Sequence, residues 1–264
     1  MNLELDGKRA LVTGSTAGIG YAIAEALARE GADVIVNGRT DERVEQAIKS
    51  ILTSHPLAKV EGLAANLGNA DGVRAAVERL RDVDILVNNL GIFEPKPFEQ
   101  IPDEDWIRFF EVNVMSGVRL CREYLPGMKK RNWGRIVFIS SESAVQIPAE
   151  MIHYGMTKTA QLAISRGLAE TTVGTGVTVN TVLAGPTASE GVNVFVDRLA
   201  AASHKTKAEF EAEFFRTARP SSLLQRFARP DEVAALVVFV CSPLSSATNG
   251  AALRADGGVV RSIL

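Results

Sequence analysis

Ala10-Leu11-Val12-Thr13-Gly14-Ser15-Thr16-Ala17-Gly18-Ile19-Gly20 runs from a short apolar triplet through a glycine-rich turn into a segment, 19–30, with helical spacing of apolar residues. Glycines let a backbone turn sharply and approach a phosphate, and a helix N-terminus adds free N–H groups and a positive dipole end. A glycine-rich turn without a ligand has the same composition. The context, a strand before and a helix after, favours a dinucleotide-binding loop.

Outward from this turn, short apolar and β-branched runs alternate with longer helical patterns. Strands are expected at 10–12, 34–36, 60–64, 84–87, 135–140, 177–183 and 251–255. Helices are expected at 19–30, 41–53, 70–81, 151–172 and 231–241, with one long helix from 103 toward 130, its first turn acidic. Such alternation predicts an α/β fold: a single Rossmann-type, doubly wound domain whose parallel, seven-stranded sheet is covered on both faces. One domain spans 1–264, a cofactor half of about 1–131 and a catalytic and substrate half of about 132–264. An insertion at about 185–224 carries two helical pieces, 192–202 and 207–216. Long connections with their own helices at a strand's C-terminal edge are usually covers, so this one is expected to close over substrate and bury Val194 and Phe195.

Composition excludes several classes. The 264 residues are 46% hydrophobic and 23% charged, with a net charge of −2; this is ordinary globular usage with no electrostatic case for nucleic acid or an anionic membrane. The densest basic cluster, Lys129-Lys130-Arg131, is a short one at a helix end. Two cysteines, Cys121 and Cys241, lie in apolar helical contexts and read as buried thiols of a reducing compartment. His55, His153 and His204 are scattered, so no metal site is expected. The opening residues carry no apolar signal, and a cytoplasmic location is expected.

Tyr154-Gly155-Met156-Thr157-Lys158 puts Tyr and Lys on one helix face. An ammonium near a phenol favours the phenolate, which is expected to lower the Tyr154 pKa toward neutrality and equip it for general acid–base work on a carbonyl or alcohol oxygen. Ser140-Ser141 ends the fifth strand, at the edge where open α/β sheets hold ligands.

Together, Thr13-Gly-x-x-x-Gly-x-Gly20, Asn88-Asn89-Leu90-Gly91, Asn113, Ser141, Tyr154-x-x-x-Lys158 and 180–187 resemble the short-chain dehydrogenase/reductase family over about 5–258. The resemblance implies hydride transfer between a nicotinamide and a ketone or secondary alcohol. Ser141 would polarise the oxygen and Tyr154 act as general acid or base. Lys158 would bias Tyr154 and hold the nicotinamide ribose, and Asn113 would hold a water linking Lys158 to solvent. Cofactor contacts would come from Gly14, Ser15, Thr16, Gly18, Ile19, Gly20, Asn66, Leu67, Asn89, Gly91, Tyr154, Lys158 and Thr187. Leu90 departs from the family's Ala, Asn66 from its Asp, and Ala184 from its Pro. The family further implies a homotetramer or homodimer built on helices 103–130 and 151–172, the latter carrying Ala160, Ala163 and Ala169.

The cofactor is read at the end of strand two. An NAD-binding unit generally places a carboxylate there for the ribose 2′-hydroxyl. Asn37-Gly38-Arg39-Thr40 has glycine in that place, and Arg39 can meet a 2′-phosphate, so NADP(H) is expected. Asn37 or Thr40 serving an NAD ribose is the alternative. Phe93, Val145, Ile147 and Phe195 are candidate pocket residues for a small-molecule substrate. Two rivals remain: a 3-oxoacyl-[acyl-carrier-protein] reductase, with 129–131 meeting an acidic carrier, and a non-catalytic NADP(H)-binding regulator.

Overall fold

The computed structural model describes residues 2–202 and 205–263, except for the side chains of 194, 195, 198, 199, 201 and 202. Seven parallel strands form one sheet in the order β3-β2-β1-β4-β5-β6-β7. They are β1 (Arg9–Val12), β2 (Asp33–Gly38), β3 (Val60–Ala64), β4 (Ile85–Asn88), β5 (Gly134–Ser141), β6 (Val177–Ala184) and β7 (Ala252–Ala255). β1 pairs with both β2 and β4, Val12 opposing Val36 on one side and Val87 on the other. The chain therefore reverses its winding direction between β1 and β4. In open α/β sheets the crevice at such a switch point, beyond the strands' C-terminal ends, is where ligands bind.

The helices are α1 (Gly18–Arg29), α2 (Asp41–Ser54), α3 (Ala70–Arg79), α4 (Asp103–Phe110), α5 (Ser116–Lys130), α6 (Ile152–Glu170), α7 (Glu190–Ala202), α8 (Lys207–Thr217) and α9 (Pro230–Cys241). Two apolar layers enclose the sheet. On one face Ile23, Leu27, Val44, Ile51, Val233 and Val237 bring α1, α2 and α9 onto the strands. On the other, Val73, Leu120, Tyr124 and Ala169 do the same for α3, α5 and α6. The strands buried between them read as near-continuous apolar runs because neither face meets water.

The helix expected from 103 to 130 is continuous but not uniform. Between α4 and α5 it widens into a π-helical turn, Glu111–Met115, which contains Asn113. The widened turn is only five residues long, too short to stand out as a change of period in the sequence. The 185–224 insertion carries α7 and α8 and lies across the strands' C-terminal edge, tied down by a bridge from Thr187 to Ala228. The side chains of Val194 and Phe195, expected to be buried by it, lie outside the described residues. No described helix is long and apolar enough to cross a membrane.

Candidate active site

The glycine-rich turn leaves β1 with Gly14 at φ 61° and Gly18 at φ 58°, left-handed values that favour glycine. Gly20 is required by proximity, since a Cβ there would lie 2.4 Å from both the Asn89 Nδ2 and the Gly14 carbonyl oxygen. Asn89 closes the turn by donating to the Thr13 and Gly14 carbonyls at 2.9 and 3.0 Å. The α1 N-terminus has no side-chain cap, which leaves its first-turn N–H groups to face the crevice. These features fit a dinucleotide pyrophosphate.

Not every residue of the expected cofactor set faces that crevice. Ser15 is fully buried; its hydroxyl donates to the Val12 carbonyl at 2.7 Å and its N–H to the Asn37 carbonyl at 2.8 Å. It shapes the turn and has no donor left for a ligand. Leu67 is a core residue beside Leu63 and Val73, so its side chain is not a cofactor contact. Asn66 is exposed, but its carbonyl oxygen already accepts from the Gly68 N–H at 3.1 Å. Ile19, Asn89, Gly91, Lys158, Tyr154 and Thr187 do line one cleft. Thr187 donates to the Gly185 carbonyl at 2.9 Å, and Ser189 lies 3.0 Å from where a Gly18 Cβ would stand. The loop after β6 thus closes against the glycine-rich turn.

At the end of β2, Asn37 is committed to the fold. Asn37 is buried, accepts from the Gly14 N–H at 3.1 Å and donates to the Leu63 and Ala65 carbonyls. Thr40 caps α2 by accepting from the Arg43 N–H. A side chain at Gly38 would meet Thr16 Cγ2 at 2.5 Å and Val44 Cγ2 at 3.0 Å. Arg39 is exposed and makes no hydrogen bond or ion pair among the described residues.

The cleft has a volume of about 520 Å³ and opens beside the ends of β4, β5 and β6. Ser140, Ser141, Tyr154 and Lys158 line it together. Ser141 Oγ donates to the Glu142 carboxylate and accepts from the Ser143 N–H at 3.1 Å. Ser140 turns away and donates to the Lys158 carbonyl at 2.9 Å, anchoring α6 to β5. Tyr154 packs its ring edge-to-face with Phe93, centroids 6.5 Å apart, and the Lys158 ammonium lies 5.6 Å from the Tyr154 ring centroid.

The Tyr154 phenol is not lowered as expected. Burial raises it above the ordinary tyrosine range, and the Glu142 carboxylate raises it further; the Ser141 hydroxyl and Arg219 pull the other way. Lys158 is itself pushed down to about 8 by burial.

Asn113 is tied into the protein through several bonds. Its amide accepts from the Ile92 N–H at 2.7 Å and donates to the Ile92 carbonyl and the Thr157 hydroxyl, both at 3.0 Å. Its backbone carbonyl accepts from Gln161 Nε2 at 2.6 Å, and Gln161 Oε1 accepts from Lys158 Nζ at 3.4 Å. These bonds leave the Asn113 carbonyl one lone pair beside Gln161 and Lys158. Gln161 went unremarked in the sequence, although it follows Tyr154 and Lys158 on the same helical stripe. Glu142 and Arg219, which pair inside the cleft, were missed for another reason: they are 77 residues apart, and neither belongs to a motif.

Of the candidate pocket residues, Phe93 lines the cleft, Val145 and Ile147 are about half exposed outside its lining, and Phe195 is not described. Met151, Val192, Phe210, Phe214 and Phe227 supply most of the remaining apolar wall. Cys121 and Cys241 are buried thiols pushed up to about 12 by burial, inert as expected. No group of three metal-ligating side chains occurs among the described residues.

A doubly wound sheet with a glycine-rich turn at its switch point and a Ser, Tyr and Lys at the facing strand ends defines a nucleotide-dependent oxidoreductase class. Residues 14–260 match a family model described as enoyl-(acyl carrier protein) reductase. The chain is 54% identical to the oxidoreductase YvaG of Bacillus subtilis over the full length of both. It is 33% identical to the 3-oxoacyl-[acyl-carrier-protein] reductase FabG of Aquifex aeolicus, over 98% of this chain and 100% of that one. Among solved structures, L-sorbose reductase from Gluconobacter frateurii complexed with NADPH and L-sorbose superposes with a TM-score of 0.94 at 31% identity, covering all of both chains. The chain belongs to the short-chain dehydrogenase/reductase family.

Proposed function

We propose that this protein is an NADP(H)-dependent oxidoreductase acting on a ketone or the corresponding secondary alcohol. The observation that carries this reading is the convergence of Ser141, Tyr154 and Lys158 in one cleft that also reaches Ile19 of the glycine-rich turn. NADP(H), when bound, supplies or accepts the hydride. In the reducing direction Tyr154 Oη gives its proton to the substrate oxygen; in the oxidising direction it takes one. Ser141 steadies that oxygen. Lys158 is held by the Ile139 carbonyl at 2.9 Å and by Gln161, which fixes its ammonium beneath the Tyr154 ring. Asn113 holds the Ile92 backbone in place beside them and so shapes the wall of the cleft.

Glycine at 38, an exposed Arg39 without a partner among the described residues and the commitment of Asn37 to the fold support NADP(H) over NAD(H). The likeness to an enzyme solved with NADPH agrees with this. A 3-oxoacyl-carrier reductase is favoured by the resemblance to FabG. The basic cluster argues against it: Arg131 is engaged by Asp82 and the Val83 carbonyl, and Lys129 by Thr171. Assembly through α4, α5 and α6 belongs to the same proposal, supported by Ile107 and Phe110, which remain exposed on α4.

The test is NADPH consumption against a panel of small ketones by the wild type and by Tyr154→Phe. Turnover in the variant should fall about 100-fold or more while NADPH affinity is kept, the scale of lost general acid catalysis. Retained turnover would overturn the mechanism, and cofactor binding with no turnover on any carbonyl would favour a regulator.

A further inference from the structure

We propose that Glu142 and Arg219 form a positioning pair for the reaction, through which the segment covering the cleft acts on Ser141 and Tyr154. This rests on Tyr154 being the general acid and base, as proposed above.

Glu142 directly follows Ser141 and opens a single helical turn, Glu142–Ala144, at the end of β5. It is 3% exposed, in the wall of the cleft. Arg219 lies just past α8 and is 7% exposed. Its Nε donates to Glu142 Oε1 at 2.9 Å, and its Nη1 donates to Glu150 Oε1 at 3.2 Å and to the Ala218 carbonyl at 2.8 Å. The other Glu142 oxygen accepts from Ser141 Oγ. A continuous chain of polar contacts therefore runs from the covering segment, through Arg219 and Glu142, to Ser141.

That chain has two consequences. A hydroxyl has one proton, and Ser141 Oγ already accepts from the Ser143 N–H, so its contact with Glu142 governs whether that proton stays on the carboxylate or turns toward the reacting oxygen. Arg219 holds one Glu142 oxygen and thereby fixes which oxygen Ser141 meets. The second consequence is electrostatic. A buried carboxylate without a partner is strongly unfavourable, and beside Tyr154 it disfavours the phenolate; a guanidinium docked on it offsets both effects. The charged and polar groups facing Tyr154 are Ser141 and Glu142 from the end of β5, Arg219 from the covering segment with Glu150 behind it, and Lys158 on the same helix. Docking of the segment thus sets the charge balance at the phenol. If Arg219 withdraws, Glu142 is left uncompensated and Tyr154 holds its proton more tightly; when it returns, proton release from an alcohol becomes easier. The pair makes the readiness of Tyr154 depend on closure.

The experiment labels the protein with 3-fluorotyrosine, whose phenol is more acidic than that of tyrosine, and titrates the NADP⁺-loaded protein by ¹⁹F NMR. The chain has three tyrosines, and Tyr154→Phe identifies the resonance of Tyr154. Glu142→Gln keeps the shape and removes the charge, so it should lower the Tyr154 titration midpoint by at least about one pH unit, since one charge about 4 Å away at an effective dielectric of about 20 is worth about three. Arg219→Met should raise the midpoint by a similar amount. Arg219→Lys should return it most of the way to the wild type, and the double variant should lie near the wild type. Opposite shifts are a signature that mere loosening of the fold does not produce. The proposal is overturned if Glu142→Gln leaves the midpoint in place, or if Glu142→Gln and Arg219→Met move it in the same direction. Glu142→Gln decides the matter alone should Arg219→Met not fold. Ketone turnover by Tyr154→Phe is measured alongside. If it persists, the functional reading fails; if it is lost while the midpoints stay fixed, only the role of the pair fails.

Discussion

Arg39 offers a clean perturbation because its side chain does nothing for the folded protein. It is exposed and unpaired among the described residues, so Arg39→Ala removes no internal contact and should leave Tm unchanged within the usual small range for surface substitutions. Whatever the variant loses is therefore a loss of ligand. A hydrogen bond to a charged group contributes about 1.5–3 kcal/mol, or about ten- to a hundredfold in Kd. Exposure puts the effect at the lower end in physiological salt, where screening acts over about 8 Å, and it should grow as salt is lowered. Fluorescence or calorimetric titration with NADPH and NADH at two ionic strengths reads all of this. NADPH affinity should fall about tenfold at 0.15 M salt, a concentration chosen to match physiological screening, and NADH affinity should stay nearly constant. A wild type that prefers NADH, or a variant that loses both cofactors equally, would refute the assignment. Gly38→Asp should not yield a well-behaved NADH enzyme, because the new side chain would run into Thr16 and Val44 at 2.5 and 3.0 Å.

Two further expectations follow from the same cleft. Gly20→Ala places a methyl 2.4 Å from Asn89 Nδ2 and the Gly14 carbonyl, so it should destabilise by about 1–3 kcal/mol and weaken both cofactors together; thermal melts and titration check it. Lys158 has its folded pKa depressed to about 8 by burial. The cost of charging it is fully present below that pH and is relieved as pH rises from about 8 toward the ordinary lysine value of about 10.4. Lys158→Met should therefore lose activity yet gain most in stability, relative to the wild type, at neutral pH, with that relative gain shrinking as pH rises through this window. Urea unfolding at several pH values measures it, and a relative gain that grows with pH would contradict the burial argument.

Much of the fold was legible because its signals are local and repeat. The strands buried on both faces read as apolar runs, and each helix between them carries its own period, so the seven-stranded parallel sheet follows from alternation alone. The candidate site was legible in part. Motifs bring the right segments to the crevice but do not say which way a side chain points. Ser15 belongs to the glycine-rich turn and still faces inward, because the turn needs its hydroxyl to bridge β1 and β2 at Val12 and Asn37. Leu67 follows Asn66 in the chain but goes to the core because it is apolar. The π-helical turn at Glu111–Met115 was invisible because it is a single turn of five residues inside a longer helical pattern. The Glu142–Arg219 pair was invisible because only tertiary folding brings it together.

The same reasoning accounts for how a lysine with a depressed pKa stays in register. α6 buries an unusual polar stripe: Thr157, Lys158, Gln161 and Ser165 are all nearly inaccessible. An unpaired buried polar group costs about 1–3 kcal/mol, so such a stripe is tolerable only if its members satisfy one another. Around Lys158 they do. Thr157 donates to the Tyr154 carbonyl at 2.7 Å and accepts from Asn113, Gln161 joins Lys158 to the Asn113 backbone, and Lys158 itself reaches the Ile139 carbonyl of β5. Asn113 in turn grips both backbone groups of Ile92 beyond β4. The network thus spans β4, β5, the π-helical turn and α6, and each link would leave a buried group unpaired if Lys158 shifted. His153, one step before Tyr154, shows the contrast. Both its ring nitrogens lack a hydrogen-bond partner among the described residues, and its ring lies against Phe109 at 4.0 Å, with burial lowering its pKa. It lies in an apolar contact and, among the described residues, takes no part in the network. The proton chemistry proposed for this helix is therefore given to Tyr154 and Lys158 rather than to His153, since Lys158 is held by the network and Tyr154 stands beside it.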